Sequence, residues 1–285
     1  MTGDGGAGTL YVVSTPIGNM GDFSFRAVEV LKSADLILAE DTRHTRNLLD
    51  RYEIKTPATG YHEHNEAKTT PSLVARLERG ASFALVSDAG TPLISDPGAR
   101  LVRAAIEAGI DVVAIPGPSA LLSALVVSGL DADRFTFFGF LTRTGSERRA
   151  ALDDISNMRH TAVLYEAPNR LAATLGELER RGSGDRRAVV AREMTKQFEE
   201  VKRGTVSELR AYYEDKPPRG EVVLLIAAAV EQAPTDEAVA TRVNELRAAG
   251  MSARDVATAV AAELGVAKRV AYRLAQQSSK AGEDE

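Results

Sequence analysis

FALVSDAGTPLISDPGARLVRAAIEAGIDVVAIPGPSA, residues 83–120, is the stretch whose reading decides the fold. Phe83 to Ser87 is an apolar run of strand length, Ala99 to Ala108 has the apolar spacing of an amphipathic helix, and Val112 to Ile115 is a second β-branched run. Strand, helix and strand in that order make a βαβ unit, which places its two strands parallel in one sheet. The connection Ser87 to Gly98 has twelve residues with two Gly, two Pro and two Asp. That exceeds a minimal βα turn, so the segment reads as a ligand loop at a strand end.

The same alternation extends in both directions. Towards the N-terminus, strands are expected at Leu10 to Ser14 and Leu36 to Ala39, with helices at Phe25 to Leu31, Thr42 to Leu49 and Ala67 to Glu78. Pro116-Gly117-Pro118 breaks regular structure, and a helix at Ser119 to Val127 opens a second series. Its strands are expected at Phe135 to Phe138, Thr161 to Glu166, Ala188 to Arg192 and Val222 to Ala227. Its helices fall at Glu147 to Ile155, Asn169 to Arg180 and Ser207 to Tyr213. After Pro234 the chain turns Ala-rich and strand-poor, with helical patterns at Glu237 to Ala248, Ala253 to Leu264 and Ala267 to Gln276. The expectation is an α/β protein of two lobes, 9–117 and 118–232, between a flexible leader (1–8) and a helical, helix-turn-helix-like appendix (233–285) ending in a disordered acidic tail.

Composition narrows the function classes. The 285 residues carry 35 Lys and Arg against 40 Asp and Glu, a net charge of −5, with 44% apolar residues. This is the balance of an ordinary globular protein. Any nucleic-acid partner must therefore meet a local basic patch and not a global field. Residues 241–280 are one such place, with seven basic side chains against three acidic ones. The absence of cysteine excludes disulfides, thiolate metal sites and a cysteine nucleophile, and points to the cytoplasm. The longest apolar run, Val222 to Val230, is far below the roughly 18 residues of a membrane span, so no membrane role is expected.

The signatures G-x-G-x-x-G after a strand, G-x-x-x-x-G-K-[ST], H-E-x-x-H and G-x-S-x-G are all missing. Gly/Pro-rich loops stand in their place. Ser14 to Gly21 (STPIGNMG) follows the first strand and reads either as a βα turn or as a loop whose free N–H groups face a ligand; Pro116 to Ala120 offers small residues and a helix start. Glu40-Asp41-Thr42-Arg43 lies about 22 residues after Gly18, a spacing at which doubly wound folds put a carboxylate on a ribose; it also reads as a capped helix start. His62-Glu63-His64-Asn65 is too poor in ligands for a metal centre, and no metal is expected. Arg192, Glu193 and Lys196 end a buried strand with charge, which fits a functional cluster or an interlobe ion-pair network. Arg143, Arg148 and Arg149 form a second basic cluster.

Taken together, TPIGN (15–19), AEDTRHT (39–45), HEHNE (62–66), SDAGTPLISDPG (87–98), PGPSA (116–120), Tyr165-Glu166, AREMTK (191–196) and Gly220-Glu221 closely resemble the ribosomal-RNA branch of the tetrapyrrole methylase superfamily. The resemblance implies two α/β lobes with S-adenosylmethionine held in the cleft between them, in a homodimer. It implies methyl transfer to the ribose 2′-oxygen of a cytidine in the decoding region of 16S rRNA, within the small ribosomal subunit. By that analogy Pro16, Gly18, Asp88, Gly90, Thr91, Leu93, Ile94, Ser119, Ala120, Gly220, Glu221 and Val222 line the cofactor cleft, and Glu40 and Asp41 face the acceptor instead of a cofactor ribose. Asp41 or Glu193 is then the expected proton acceptor, with Arg43 and Lys196 stabilising developing negative charge. Arg143, Arg148, Arg149, Lys268 and Arg269 are the expected RNA contacts. A small-molecule methylase of the same fold, or a non-catalytic ribosome-assembly factor, are the competing readings.

Overall fold

The computed structural model describes residues 7–229 and 236–280. The expected acidic tail, the junction near residue 232 and most of the expected leader lie outside them. Within the leader span, the Gly8 N–H donates to the Leu77 carbonyl at 2.8 Å.

Residues up to Ala229 form one compact unit built on two five-stranded sheets. The first contains β1 (Thr9–Val13), β2 (Leu36–Ala39), β3 (Ala58–Gly60), β4 (Phe83–Val86) and β5 (Asp111–Ile115) in the order β3-β2-β4-β1-β5, every pair parallel. Helices α1 (Phe25–Ser33) and α2 (Thr42–Arg51) cover one face, while α3 (Glu66–Leu77) and α4 (Ala99–Glu107) cover the other. Because both faces are buried, Phe83 to Val86 is apolar without alternation, as a central parallel strand requires. Helix starts follow local chemistry: Ser24 and Asp41 accept backbone N–H bonds at the first turns of α1 and α2.

Helix α5 (Ala120–Ser128), capped by Ser119, leads to the second sheet. It contains β6 (Phe135–Phe140), β7 (Thr161–Glu166), β8 (Arg187–Arg192), β9 (Glu200–Thr205) and β10 (Val222–Ile226) in the order β6-β7-β10-β8-β9. This sheet is mixed, since β10 runs antiparallel to both its neighbours. Helices α6 (Ser146–Asn157), α7 (Leu171–Leu178) and α8 (Val206–Asp215) bury its outer face. Its inner face takes Ala124 and Leu125 of α5, and Ile17 from the loop after β1 joins that layer beside Val163, Val189 and Val223. One apolar layer therefore joins the second sheet to the first strand's loop.

Strands β3 and β9 have no counterpart in the sequence reading. Both are sheet edges; Ala58 and Thr59 are exposed, and Glu200 to Thr205 (EVKRGT) has no apolar face. Edge strands with solvated sides lack the hydrophobic signal that marks a strand.

Residues 236–280 form α9 (Asp236–Ala248), α10 (Ala253–Leu264) and α11 (Lys268–Lys280), packed on their own core of Val239, Val243, Val256, Val260 and Ala271. Ser252 caps α10, and Gly265 ends it in the left-handed conformation.

Candidate active site

The strand order places the carboxyl ends of β2, β4, β1 and β5 side by side, and their loops are stitched together. Thr15 and Gly90 exchange backbone hydrogen bonds of 2.8 and 3.0 Å, and the Thr15 hydroxyl donates to the Ser87 carbonyl at 3.1 Å. Ser14 and Thr91 hydroxyls meet at 2.9 Å, while the Thr91 hydroxyl also reaches the Pro118 carbonyl. Three loops separated by up to a hundred residues thus form one wall. Ligands of open parallel sheets bind at this edge.

Between that wall and the second sheet lies a cavity of about 290 Å³ lined by Ile17, Glu40, Asp88, Ala89, Gly90, Thr91, Ile94, Ser95, Asp96, Ser119, Ala120, Phe140, Tyr165, Glu221 and Val223. The Tyr165 ring packs against Phe137 and Phe140, with centroids 4.9 and 5.4 Å away, and makes an aromatic side wall. A second, more open cavity of about 510 Å³ is lined by Glu40, His62, Glu63, His64, Glu66, Ser95, Asp96, Pro97, Gly98 and Ala99. The two share Glu40, Ser95 and Asp96. Those residues stand where the chambers meet.

Three carboxylates crowd this junction. Burial, then the charges of Glu40 and Asp88, push the Asp96 carboxyl up to about 6, although the Ser87 hydroxyl pulls the other way. Glu40 is also raised, first by burial and then by Asp88. Asp88 itself is oriented by the Asp41 N–H, which donates to its Oδ1 at 3.0 Å. A carboxyl tuned towards neutrality at a cavity junction is what general-base chemistry uses. Asp96 was not among the sequence-derived candidates; its residue type and loop were visible, but its two carboxylate neighbours were not.

The expected proton acceptors are otherwise engaged. Asp41 caps α2 and takes the Arg43 guanidinium at 3.1 and 2.8 Å, and the Arg43 hydrogen bonds hold its carboxyl down at about 2. Glu193 accepts from Lys196 Nζ at 2.9 Å and from the Glu221 N–H at 3.0 Å. Burial works to raise its pKa, but these bonds prevail and leave it lowered. Lys196 also reaches Glu221 at 3.1 Å; burial disfavours its charge, yet its two carboxylate partners leave it raised. Glu193, Lys196 and Glu221 thus form an ion cluster at the rim, and the Asp41 and Glu193 carboxylates are both held in ion pairs. Arg43 is spent on Asp41.

Four of the five non-glycine residues with left-handed backbone among the described residues sit in the two loops of this site: Leu93 (φ 73°), Ser95 (68°), Glu193 (52°) and Thr195 (66°). Such geometry costs on the order of 1–3 kcal/mol each and concentrates at functional sites. Two glycines make the rim cluster possible. A Cβ on Gly220, whose φ is +82°, would stand 2.2 Å from Glu193 Oε1, and one on Gly18 would stand 2.2 Å from Lys196 Cγ. Gly220→Ala is expected to expel the Glu193 carboxylate and destabilise the fold by about 1–3 kcal/mol, read as a lower denaturation midpoint at unchanged m-value.

Of the expected cofactor contacts, Asp88, Gly90, Thr91, Ile94, Ser119, Ala120 and Glu221 line the first cavity. The other five lie elsewhere. Val222 is buried on the outer face of the second sheet, and the adjacent Val223 lines the cavity, because alternate strand residues face opposite ways. Leu93 packs into the core beneath α3 and α4, Pro16 lines a separate hollow of about 70 Å³, and Gly18 lies under Lys196. Gly220 supports Glu193. Among the expected RNA contacts, Arg143, Arg149, Lys268 and Arg269 are exposed. Arg148 is not: its buried guanidinium donates to Glu177 (3.0 and 2.8 Å), Thr174 Oγ1 (2.9 Å) and the Thr142 carbonyl (3.2 Å). It cannot meet a phosphate. The His62 and His64 rings lie 5.9 Å apart, and among the described residues no three His, Asp or Glu side chains are placed so that they could hold a metal ion together.

A two-sheet α/β protein with its pocket at the sheet ends defines a class, and sequence comparison gives the class its name. The profile of the tetrapyrrole (corrin/porphyrin) methylases matches residues 9–210, and the chain belongs to that family. Among its relatives, the ribosomal RNA small subunit methyltransferase I of Synechocystis sp. is 46% identical over 94% of this chain and 97% of its own length. The protein of the same name from Pseudomonas aeruginosa is 44% identical over 95% and 98%. Similar solved structures include uroporphyrin-III C-methyltransferase from Thermus thermophilus, at a TM-score of 0.56 and 20% identity over 77% of this chain and 94% of that one. These last share the fold.

Proposed function

We propose that this chain is the methyltransferase that modifies a ribose 2′-oxygen, on a cytidine of the decoding region, in 16S rRNA of the small ribosomal subunit. The observation that carries the reading is the pair of chambers meeting at Glu40, Ser95 and Asp96, one walled for a small amphipathic molecule and one open to a larger one. Near full-length similarity to rRNA methyltransferases supports the choice of RNA over a free tetrapyrrole.

Methyltransferases of this family take the methyl group from S-adenosylmethionine, which when bound supplies an electrophilic carbon. The first chamber suits it chemically. Ile17, Phe140, Tyr165 and Val223 offer apolar and aromatic surface to a nucleoside, while Glu40, Asp88, Asp96 and Glu221 offer negative charge to a molecule bearing a sulfonium and an ammonium. Its volume lies at the small end of the roughly 300–1,000 Å³ of ligand sites. Holding both reactants across the junction provides most of the acceleration, about 7–11 kcal/mol, and a positioned base adds roughly 10²- to 10⁴-fold. Asp96 takes the proton that the ribose hydroxyl releases and passes it to solvent through the open chamber.

The protein works in the cytoplasm as a homodimer; exposed Leu122, Val126 and Val127 on α5 support a second copy there. Among the described residues no helix is long and apolar enough to cross a membrane. Incubating the protein with radiolabelled methyl donor and unmethylated small subunits, followed by nuclease digestion and nucleoside analysis, should yield one 2′-O-methylcytidine. Label in a base, or none, rejects the proposal.

A further inference from the structure

Beside the junction, helix α2 and the segment leading into β3 enclose a groove of about 490 Å³ that plays no part in the reaction described above. Its floor is the buried apolar pair Leu49 and Ile54, and its rims carry Arg43, Arg46 and Lys55 against a single carboxylate, Asp50. Arg43 is already matched by Asp41. Arg46 and Lys55 are exposed, with no hydrogen bond or ion pair among the described residues. Two unmatched cations on facing rims are conspicuous in a chain of net charge −5.

The position of the groove selects its occupant. Thr42 and Arg43 open it, and Glu40, which borders both chambers, lies only two residues before Thr42. Two residues span at most about 7 Å of chain. Arg43 and Arg46 lie one turn apart on one helix face, so the cations are aligned along α2 and lead away from the acceptor chamber. A polymer with one nucleotide held at the junction must leave along some surface, and this one offers positive charge, the Thr42 hydroxyl and room. An acidic protein would need no such proximity to the chamber.

We infer that the groove between α2 and the β3 approach seats the sugar-phosphate backbone flanking the target nucleotide, with Arg46 and Lys55 as phosphate contacts. The inference rests on the functional reading above, and the test separates the two.

Full-length wild type and R46E/K55E would be compared on unmethylated small subunits and on deproteinised 16S rRNA, with R79E/R103E as a control of equal charge change on exposed residues of the α3–α4 side. R46E/K55E should raise the KM for both RNA substrates at least tenfold and flatten the dependence of log affinity on log salt by about 1 to 2. Donor affinity, read by calorimetry without RNA, should stay within twofold of wild type, as should every value for the control. A KM and salt slope equal to wild type, in a wild type that methylates subunits, overturns the groove and leaves the enzyme. A defect on subunits with unaltered affinity for deproteinised RNA assigns the groove to a ribosomal protein and also overturns it. If wild type transfers no methyl group to subunits, the functional reading falls, and the inference with it.

Discussion

Asp96→Asn should yield a protein that is more stable than wild type and nearly inactive. Its turnover should drop by roughly 10²- to 10⁴-fold, the contribution of a positioned base, because an amide cannot accept the ribose proton. Stability should move the other way. The folded Asp96 carboxyl titrates at about 6, above its ordinary value of 3.8, because burial and the neighbouring Glu40 and Asp88 charges disfavour ionisation. A group raised by folding gives its full stabilisation below the unfolded pKa and loses it as pH climbs through the folded one. At one unit per 1.36 kcal/mol that shift corresponds to about 3 kcal/mol, which solvent screening of this half-buried carboxyl reduces to on the order of 2 kcal/mol near pH 8.

The amide carries no such cost. The variant should therefore melt several degrees above wild type at pH 8, with the gap closing below about pH 4. Wild-type kcat/KM, which reports the free enzyme, should rise through about pH 6 and then level off, while the residual activity of the variant loses that limb. Melting curves at the two pH values, beside a pH–rate profile, check both halves. A variant with full turnover returns the proton acceptor to an open question, and one with equal melting points at pH 8 removes the claim that Asp96 is held in a disfavoured charge state.

Arg148→Ala is the second large effect, and it separates structure from RNA contact. The guanidinium is almost fully buried and joins Glu177, Thr174 and the Thr142 carbonyl, and the Thr174 hydroxyl in turn donates to the buried Glu166 carboxylate at 2.6 Å. Removing one partner of a buried pair leaves uncompensated polar groups and costs roughly 3–5 kcal/mol. For a chain of this size that lowers the melting temperature by about 6–20 °C. Arg143→Ala and Arg149→Ala touch exposed side chains and should stay within about 0.5 kcal/mol of wild type. Thermal scans of the three variants decide the matter. A destabilisation of Arg148→Ala no larger than that of its neighbours would mean that this network carries no weight in the fold.

The rim cluster and the junction divide the labour of the site. Lys196 pairs with both Glu193 and Glu221, leaving one negative charge at the rim, and the backbone strain at Glu193 and Thr195 is held by that lock and by Gly220. The carboxylates of Glu40, Asp88 and Asp96 repel one another, opposed at Glu40 by the charge of His62, and a positively charged ligand would relieve that repulsion. A cationic donor in the first chamber would lower the pKa of Asp96 and so favour the base form when it is needed.

The amino-acid sequence by itself determined the elements and the loops. Phe83 to Val86, Thr161 to Glu166 and α10 follow from apolar spacing and capping residues within ten or fifteen positions, since burial period and turn chemistry are written in contiguous residues. The loops after β1, β4 and β5 were legible because Gly and Pro mark where the backbone leaves regular structure. Only the tertiary structure decided which side chains meet and which meet water. Strand order brings Glu40 beside Asp88 and Asp96, strand parity sends Val223 and not Val222 to the cavity, and packing under α7 turns Arg148 from a surface cation into a buried strut. Charge, pKa and access are properties of neighbours distant in the chain, and local pattern carries no record of them.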